Sequence, residues 1–215
     1  MQVAELEQVV ANVPGGMQEL LERRFSPYAF SSRPVEPEKL RKLFEAARSA
    51  PSCYNEQPWR FVVAKQEDGE AFQRLLETLA EANRKWAQHA PVLALSVAKL
   101  DFTHNGRPNR HALYDVGQAA AYLTLQATEL GLYVHQMGGF DAGKASRLLN
   151  IPEGYEPAAM MAVGYLGDPK SIPGGSSEHD GSRRARKPLD SLFFAGLWDE
   201  PWSRAADGKS PGSIQ

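Results

Sequence analysis

The 215-residue chain is predicted to fold as one α+β domain with a helical arm at its start and a second arm at its end. Three observations carry that prediction. The runs 60–64 and 91–97 are short and almost wholly apolar, as buried strands are. Longer stretches repeat apolar residues every three or four positions, as helices do. The two patterns alternate without an internal repeat or a clean linker, so one core is expected, over residues 1–200, with a loose tail over 201–215.

The elements follow in order. Val3, Leu6, Val9 and Val10 mark a short leading helix that Pro14-Gly15-Gly16 ends. A second short helix covers about 17–24 and finishes in Arg23-Arg24. A third begins at Pro37, a residue the first helical turn accepts. It carries Leu40, Leu43, Phe44 and Ala47 on one face and stops at Ala50-Pro51. Strand 60–64 leads to one helix over about 71–86, then strand 91–97 and a polar loop over 101–109. The longest helix carries Leu113, Val116, Ala120, Leu123, Ala127 and Leu130, with Gly131 just past its end to take a left-handed cap. Its Gly117, Ala119, Ala120 and Ala121 allow close approach by another element. Strand 132–137, Gly138-Gly139, a helix capped by Asp141 and strand 157–166 complete the domain. A Gly/Ser loop over 173–182 precedes the basic cluster Arg183, Arg184, Arg186 and Lys187.

Composition limits the function. Lys and Arg number 24 and Asp and Glu 26, a net charge of -2, which gives no reason to expect nucleic acid or an anionic membrane as partner. No apolar run approaches the ~18–20 residues that span a bilayer. Residues 1–14 lack a basic stretch followed by an apolar core, so no signal peptide is expected. Cys53 is the single cysteine, which excludes an internal disulfide and fits a reducing, cytoplasmic setting. The five histidines show no metal-binding spacing. These facts point to a small-molecule protein.

Three places can carry chemistry. Two prolines frame the polar stretch Ala50-Pro51-Ser52-Cys53-Tyr54-Asn55-Glu56-Gln57-Pro58-Trp59, which presents fixed hydrogen-bonding groups or, equally, a crossover loop capping its neighbours. Arg23, Arg24 and Ser26, with Arg184 and Arg186, suit a phosphate monoester, though a solvated basic surface has the same composition. Gly138-Gly139 bares backbone between a strand and a helix. The run G-G-F-D-A-G is not the G-x-G-x-x-G of a dinucleotide fold. Cys53 reads as a half-buried thiol rather than a nucleophile, and Trp59 as core rather than the wall of a stacking site. Tyr54, Phe102 and His104 are candidates for a pocket rim.

Taken together, the pieces resemble the nitroreductase family of FMN-dependent oxidoreductases. They are Arg23-Arg24-Phe25-Ser26-Pro27-Tyr28, the stretch from Ala46 through Phe61, Asp115-Val116-Gly117-Gln118-Ala119, Met137-Gly138-Gly139-Phe140-Asp141, Gly164-Tyr165-Leu166-Gly167-Asp168-Pro169 and Arg184-Ala185-Arg186-Lys187-Pro188-Leu189. The resemblance implies a mostly antiparallel sheet flanked by helices, in an intertwined homodimer with FMN at the subunit interface. It implies that Arg23, Arg24 and Ser26 hold the FMN phosphate, closed on by Arg184 and Arg186. Pro51, Ser52, Cys53 and Asn55, with Gln57, match a loop that the partner lays along the flavin. Asn83 falls near the pyrimidine ring, and Met137, Gly138 and Gly139 at the N5 and O4 edge, with only backbone claimed at the glycines. Tyr28 stands where many members carry Arg or Lys, Phe25 where His or Arg is common, and Cys53 where Ser is frequent. The implied reaction is ping-pong hydride transfer from NADPH or NADH, through the flavin, to a nitroaromatic, quinone or similar acceptor. A sensor or store of FMN, or divergent flavin chemistry such as dehalogenation or oxidation, shares the same residues.

Overall fold

A computed structural model describes residues 16–171 and 185–203. The leading helix expected near residues 3–10, the 173–182 loop and the tail beyond residue 203 lie outside the described residues. The chain divides into two compact units, 1–181 and 182–215.

The first unit is built on four strands, β1 (Trp59–Lys65), β2 (Val92–Lys99), β3 (Tyr133–Met137) and β4 (Tyr155–Gly164). Their order is β1-β2-β4-β3, and every neighbouring pair is antiparallel. The continuous apolar run of β2 has a simple cause: both faces of the sheet are covered. Val92, Ala94 and Ala98 point into one core, and Leu93, Leu95 and Val97 into another, because successive side chains of a strand alternate sides. The first face is covered by α2 (Pro37–Arg48) and α5 (Ala112–Glu129), through Leu40, Leu43, Val116, Ala120 and Leu123. The second is covered by α3 (Glu70–Leu76), α4 (Glu81–Ala87) and α6 (Ala142–Leu148), through Phe72, Leu75, Trp86 and Ala145. A short α1 (Gly16–Arg23) precedes them.

The local signals hold at the caps. Pro37 starts α2, Gly131 lies past α5 with φ +72°, and the Asp141 carboxylate accepts from the Lys144 amide at the start of α6. Strand β4 begins two residues earlier than its apolar run and ends two earlier. Pro157 falls where the β2–β4 register shifts, a position that needs no ladder N–H. The buried Ser96 hydroxyl fills that irregularity, donating to the Ala159 carbonyl at 3.0 Å.

One helix expected over 71–86 is two. Backbone pairing from elsewhere breaks it: Leu79 forms an antiparallel bridge with Phe140, the Ala80 amide donates to the Gly139 carbonyl at 3.0 Å, and the Asp141 amide donates to the Thr78 carbonyl at 2.8 Å. Those bonds replace helical ones, so the apolar period survives while the backbone turns.

A polar knot ties β4 to both helices of the first face. Tyr165 donates to Glu36 at 2.5 Å and accepts from Lys39, whose ammonium also donates to the Leu130 carbonyl at the end of α5. The Tyr165 hydroxyl, the Glu36 backbone amide and Arg33 hold the Glu36 carboxyl down at about 2.

In the second unit, Leu189–Ser191 forms a 3-10 turn and Phe194 pairs with Pro201. Leu189, Phe193, Phe194 and Trp202 line an apolar groove there. Among the described residues, no helix is long and apolar enough to cross a membrane.

Candidate active site

Two stretches singled out in the sequence are both anchored at β3, an edge strand of the sheet. The segment leaving α1 is fastened there by aromatic contacts and short pairing. Phe25 packs edge-on against Tyr133 with centroids 4.9 Å apart, and His135 Nδ1 donates to the Pro27 carbonyl at 2.7 Å. Tyr28 packs edge-on against Trp86 and His135. Phe30 bridges to Leu166 beyond β4. Tyr28 thus serves as an anchoring ring. Arg24 Nη1 lies 3.4 Å from Ser26 Oγ as its donor, while Arg23 forms an ion pair with Glu19 on the half-exposed face of α1.

At the far end of β3 the backbone is bare. The Met137 side chain is 3% exposed and belongs to the core, leaving only its main chain at this edge. Gly138 is exposed, and a Cβ built there meets nothing within 4 Å. Gly139 differs: its Cβ position lies 2.7 Å from Asn83 Nδ2, because Asn83 donates to the Gly139 carbonyl at 3.0 Å. Asn83 and the glycines, 56 residues apart, are brought together by the pairing that breaks α3 from α4.

The 51–57 loop stands elsewhere, before β1. Tyr54, Asn55 and Gln57 all take left-handed φ, at +53°, +55° and +50°, a conformation that costs non-glycine residues about 1 kcal/mol or more each. The Gln57 amide donates to Ser52 Oγ at 3.0 Å, and Gln57 Nε2 donates to both oxygens of Asn55. The Cys53 thiol is half-buried and its amide donates to Asp115 Oδ2 at 3.0 Å. Pro51 is exposed, and Trp59 is core at 8% exposure. The exposed Tyr54 ring meets Phe102 and His104 with centroids 5.7 and 5.6 Å away, so the three rim candidates form one cluster.

Two residues given no role from the sequence hold this loop. Asp115 reaches it from the first turn of α5. Glu56 lies inside it, its side chain 5% exposed, and accepts from the Lys99 ammonium at 2.9 Å, the Thr103 amide at 2.9 Å and the Thr103 hydroxyl. Burial alone would raise the Glu56 pKa. The Thr103 hydroxyl, the Lys99 ammonium and the Thr103 amide outweigh it and bring the group to about 2. Their places inside two family-like motifs were the sequence signal, and the partners could not be read there because both partnerships span long stretches of chain.

The sheet order separates the two halves. Met137 pairs with Met160, Met160 with Leu95 and Leu95 with Val62, so β3 ends level with the middle of β1, and Gly138 leaves it toward the end of the sheet where the 51–57 loop enters Trp59. They belong to opposite edge strands, three strand spacings or about 14 Å apart. Arg186 is described and exposed in the second unit, and Arg184 lies outside the described residues.

Comparison with known proteins agrees with this architecture. A solved oxidoreductase containing FMN superposes with a TM-score of 0.79 at 36% identity, over 83% of this chain and 91% of that one. The class is therefore an α+β oxidoreductase. The chain belongs to the nitroreductase family, whose profile matches residues 21–165. A protein of Mycolicibacterium smegmatis described as an uncharacterized 15.4 kDa protein is 33% identical over 66% of this chain and 99% of its own. A Streptococcus pyogenes relative with the provisional name NAD(P)H nitroreductase is 26% identical over 68% of this chain and 88% of its own. A nitroreductase family protein of Streptococcus pneumoniae shares the fold, with a TM-score of 0.68 at 22% identity.

Proposed function

We propose that the protein is a homodimeric, FMN-dependent NAD(P)H oxidoreductase acting on nitroaromatics, quinones or similar conjugated acceptors. One observation carries the reading: the FMN-type residues of a single chain lie on two opposite edges of its sheet. The β3 side offers the Arg24–Ser26 pair and the bare Gly138, and the loop offering Ser52, Asn55 and Gln57 precedes the opposite edge strand, β1. A second copy laying its loop against the first copy's β3 edge completes two equal sites at once, as two-fold symmetry requires. Exposed Leu113, Tyr114, Gly117, Ala121 and Tyr122 on α5 supply an apolar face for that contact.

The donor chemistry fits the cofactor. Arg23, Arg24 and Ser26 suit a phosphate monoester, and we take residues 1–200 as the domain that carries the site. Gly138, without a side chain, lets a planar ring system lie on backbone, and Gly139 is held in place by Asn83. When bound, FMN supplies the hydride chemistry. The chain's own groups bind the phosphate, orient the ring and leave one face open. Nicotinamide and acceptor share that face and so bind in turn, which is ping-pong kinetics. A cytoplasmic setting is part of this proposal, and a single cysteine is compatible with it.

The test is a visible spectrum of purified protein with FMN, taken before and after anaerobic NADPH or NADH, with the mass in solution measured alongside. A dimer that retains flavin and is bleached by a nicotinamide is expected. Retained flavin that neither donor bleaches points to a store or sensor, and absence of retained flavin overturns the FMN reading.

A further inference from the structure

Asp115 has a role that the proposed function leaves unused. Its side chain is 2% exposed, on the first turn of α5, where the helix dipole favours a negative charge. Oδ2 accepts the Cys53 amide at 3.0 Å and Oδ1 accepts Gln118 Nε2 at 3.4 Å. Among the described residues no ion pair is formed by this carboxylate. A buried carboxylate is costly to desolvate, and an apolar residue of similar size would fill the same space with less penalty. What the charge does instead is grip one backbone amide at the mouth of a loop 62 residues earlier in the chain. The next residues, Tyr54 and Asn55, and then Gln57, are the three held at left-handed φ. Left alone, such a turn relaxes toward ordinary backbone conformations. The bond from the Gln57 amide to Ser52 Oγ ties the turn to itself, whereas Asp115 ties it to a rigid 18-residue helix.

We propose that Asp115 is a positioning residue: by holding the Cys53 amide it keeps the left-handed turn from Tyr54 to Gln57 in the conformation that meets the flavin of a second copy. This rests on the dimeric FMN reading above. Asp115 touches neither cofactor nor substrate in this role. It acts through the loop, and the site it serves lies in the other subunit.

The experiment measures FMN dissociation constants by quenching of flavin fluorescence on the full chain. Asp115→Ala removes the acceptor and is expected to raise Kd about tenfold or more, the size of one charge-assisted hydrogen bond. Asp115→Asn keeps an amide oxygen for the Cys53 amide while Gln118 turns its own amide, and should stay within about threefold of the parent. A mixed dimer then separates positioning from general damage. Asp115→Ala is co-expressed with Arg24→Glu under two different tags, and dimers carrying both tags are isolated. Each mixed dimer has one site with an intact Arg24 and an intact opposing loop, so half of its sites should bind FMN with parental affinity. Unchanged affinity in Asp115→Ala overturns the proposal. So does a loss that neither Asp115→Asn nor the mixed dimer restores, since the effect then stays within the altered subunit. Failure of the parent protein to bind FMN as a dimer overturns the proposed function instead, and is seen before any substitution is made.

Discussion

Replacing Glu56 by glutamine keeps the side chain's shape and removes its charge. The loss is sized by the ion pair in the structure, in which Glu56 is 5% exposed and Lys99 20%. The carboxyl stands at about 2 instead of 4.5 in the folded protein. At ~1.36 kcal/mol per unit, that difference stabilises the fold by at most about 3.4 kcal/mol. Thr103 sits on an exposed loop and water reaches Lys99, so about 2 kcal/mol is the better expectation. For a chain of this size it corresponds to a Tm lower by about 4–8 °C. The pH dependence has a definite sign. A depressed carboxyl pKa stabilises the fold fully above 4.5, and the contribution is lost as pH falls toward 2. The gap between parent and Glu56→Gln should therefore be full at pH 7 and fall to less than half by about pH 3. Urea unfolding followed by circular dichroism across that range measures it. A gap under about 0.5 kcal/mol at neutral pH, or one that does not change with acid, refutes the reasoning.

The neighbouring glycines should separate folding from cofactor binding. Gly138→Ala meets nothing within 4 Å and should leave stability within about 0.5 kcal/mol, yet weaken FMN binding about tenfold by lifting the ring from the backbone. Gly139→Ala pushes its methyl against Asn83 Nδ2, so it should lower Tm as well; equal behaviour of the two variants in both assays contradicts this picture. Tyr165→Phe removes the leading donor to Glu36, so an NMR titration should find the Glu36 carboxyl moved from about 2 up toward 4.5. The stability that Glu36 contributes is present above 4.5 and lost as pH falls toward 2, so this variant's deficit should shrink over that interval.

Local chemistry made much of the architecture legible in the amino-acid sequence. The apolar run of β2, the three-and-four spacing along α5, the caps at Gly131 and Asp141 and the stop at Pro51 each depend on near neighbours. Their physical causes (side-chain alternation, helical period, φ preference and a missing N–H) act within a few residues, which is why they can be read without a structure. The order of short motifs along the chain likewise pointed to the family.

Tertiary structure decided whatever depends on partners distant in the chain. The period of residues 70–87 is helical throughout, yet the chain breaks at Leu79 because Phe140 offers its backbone there. Asp115 and Glu56 stood inside family-like motifs of the sequence but carried no assigned role there. Contacts with Cys53, Lys99 and Thr103 made one a tether and the other a buried ion pair. Above all, the sheet order put the 51–57 loop and Gly138 on opposite edges. Strand order is set by which faces bury the most apolar surface together, a property of the assembled core that no single stretch of sequence contains.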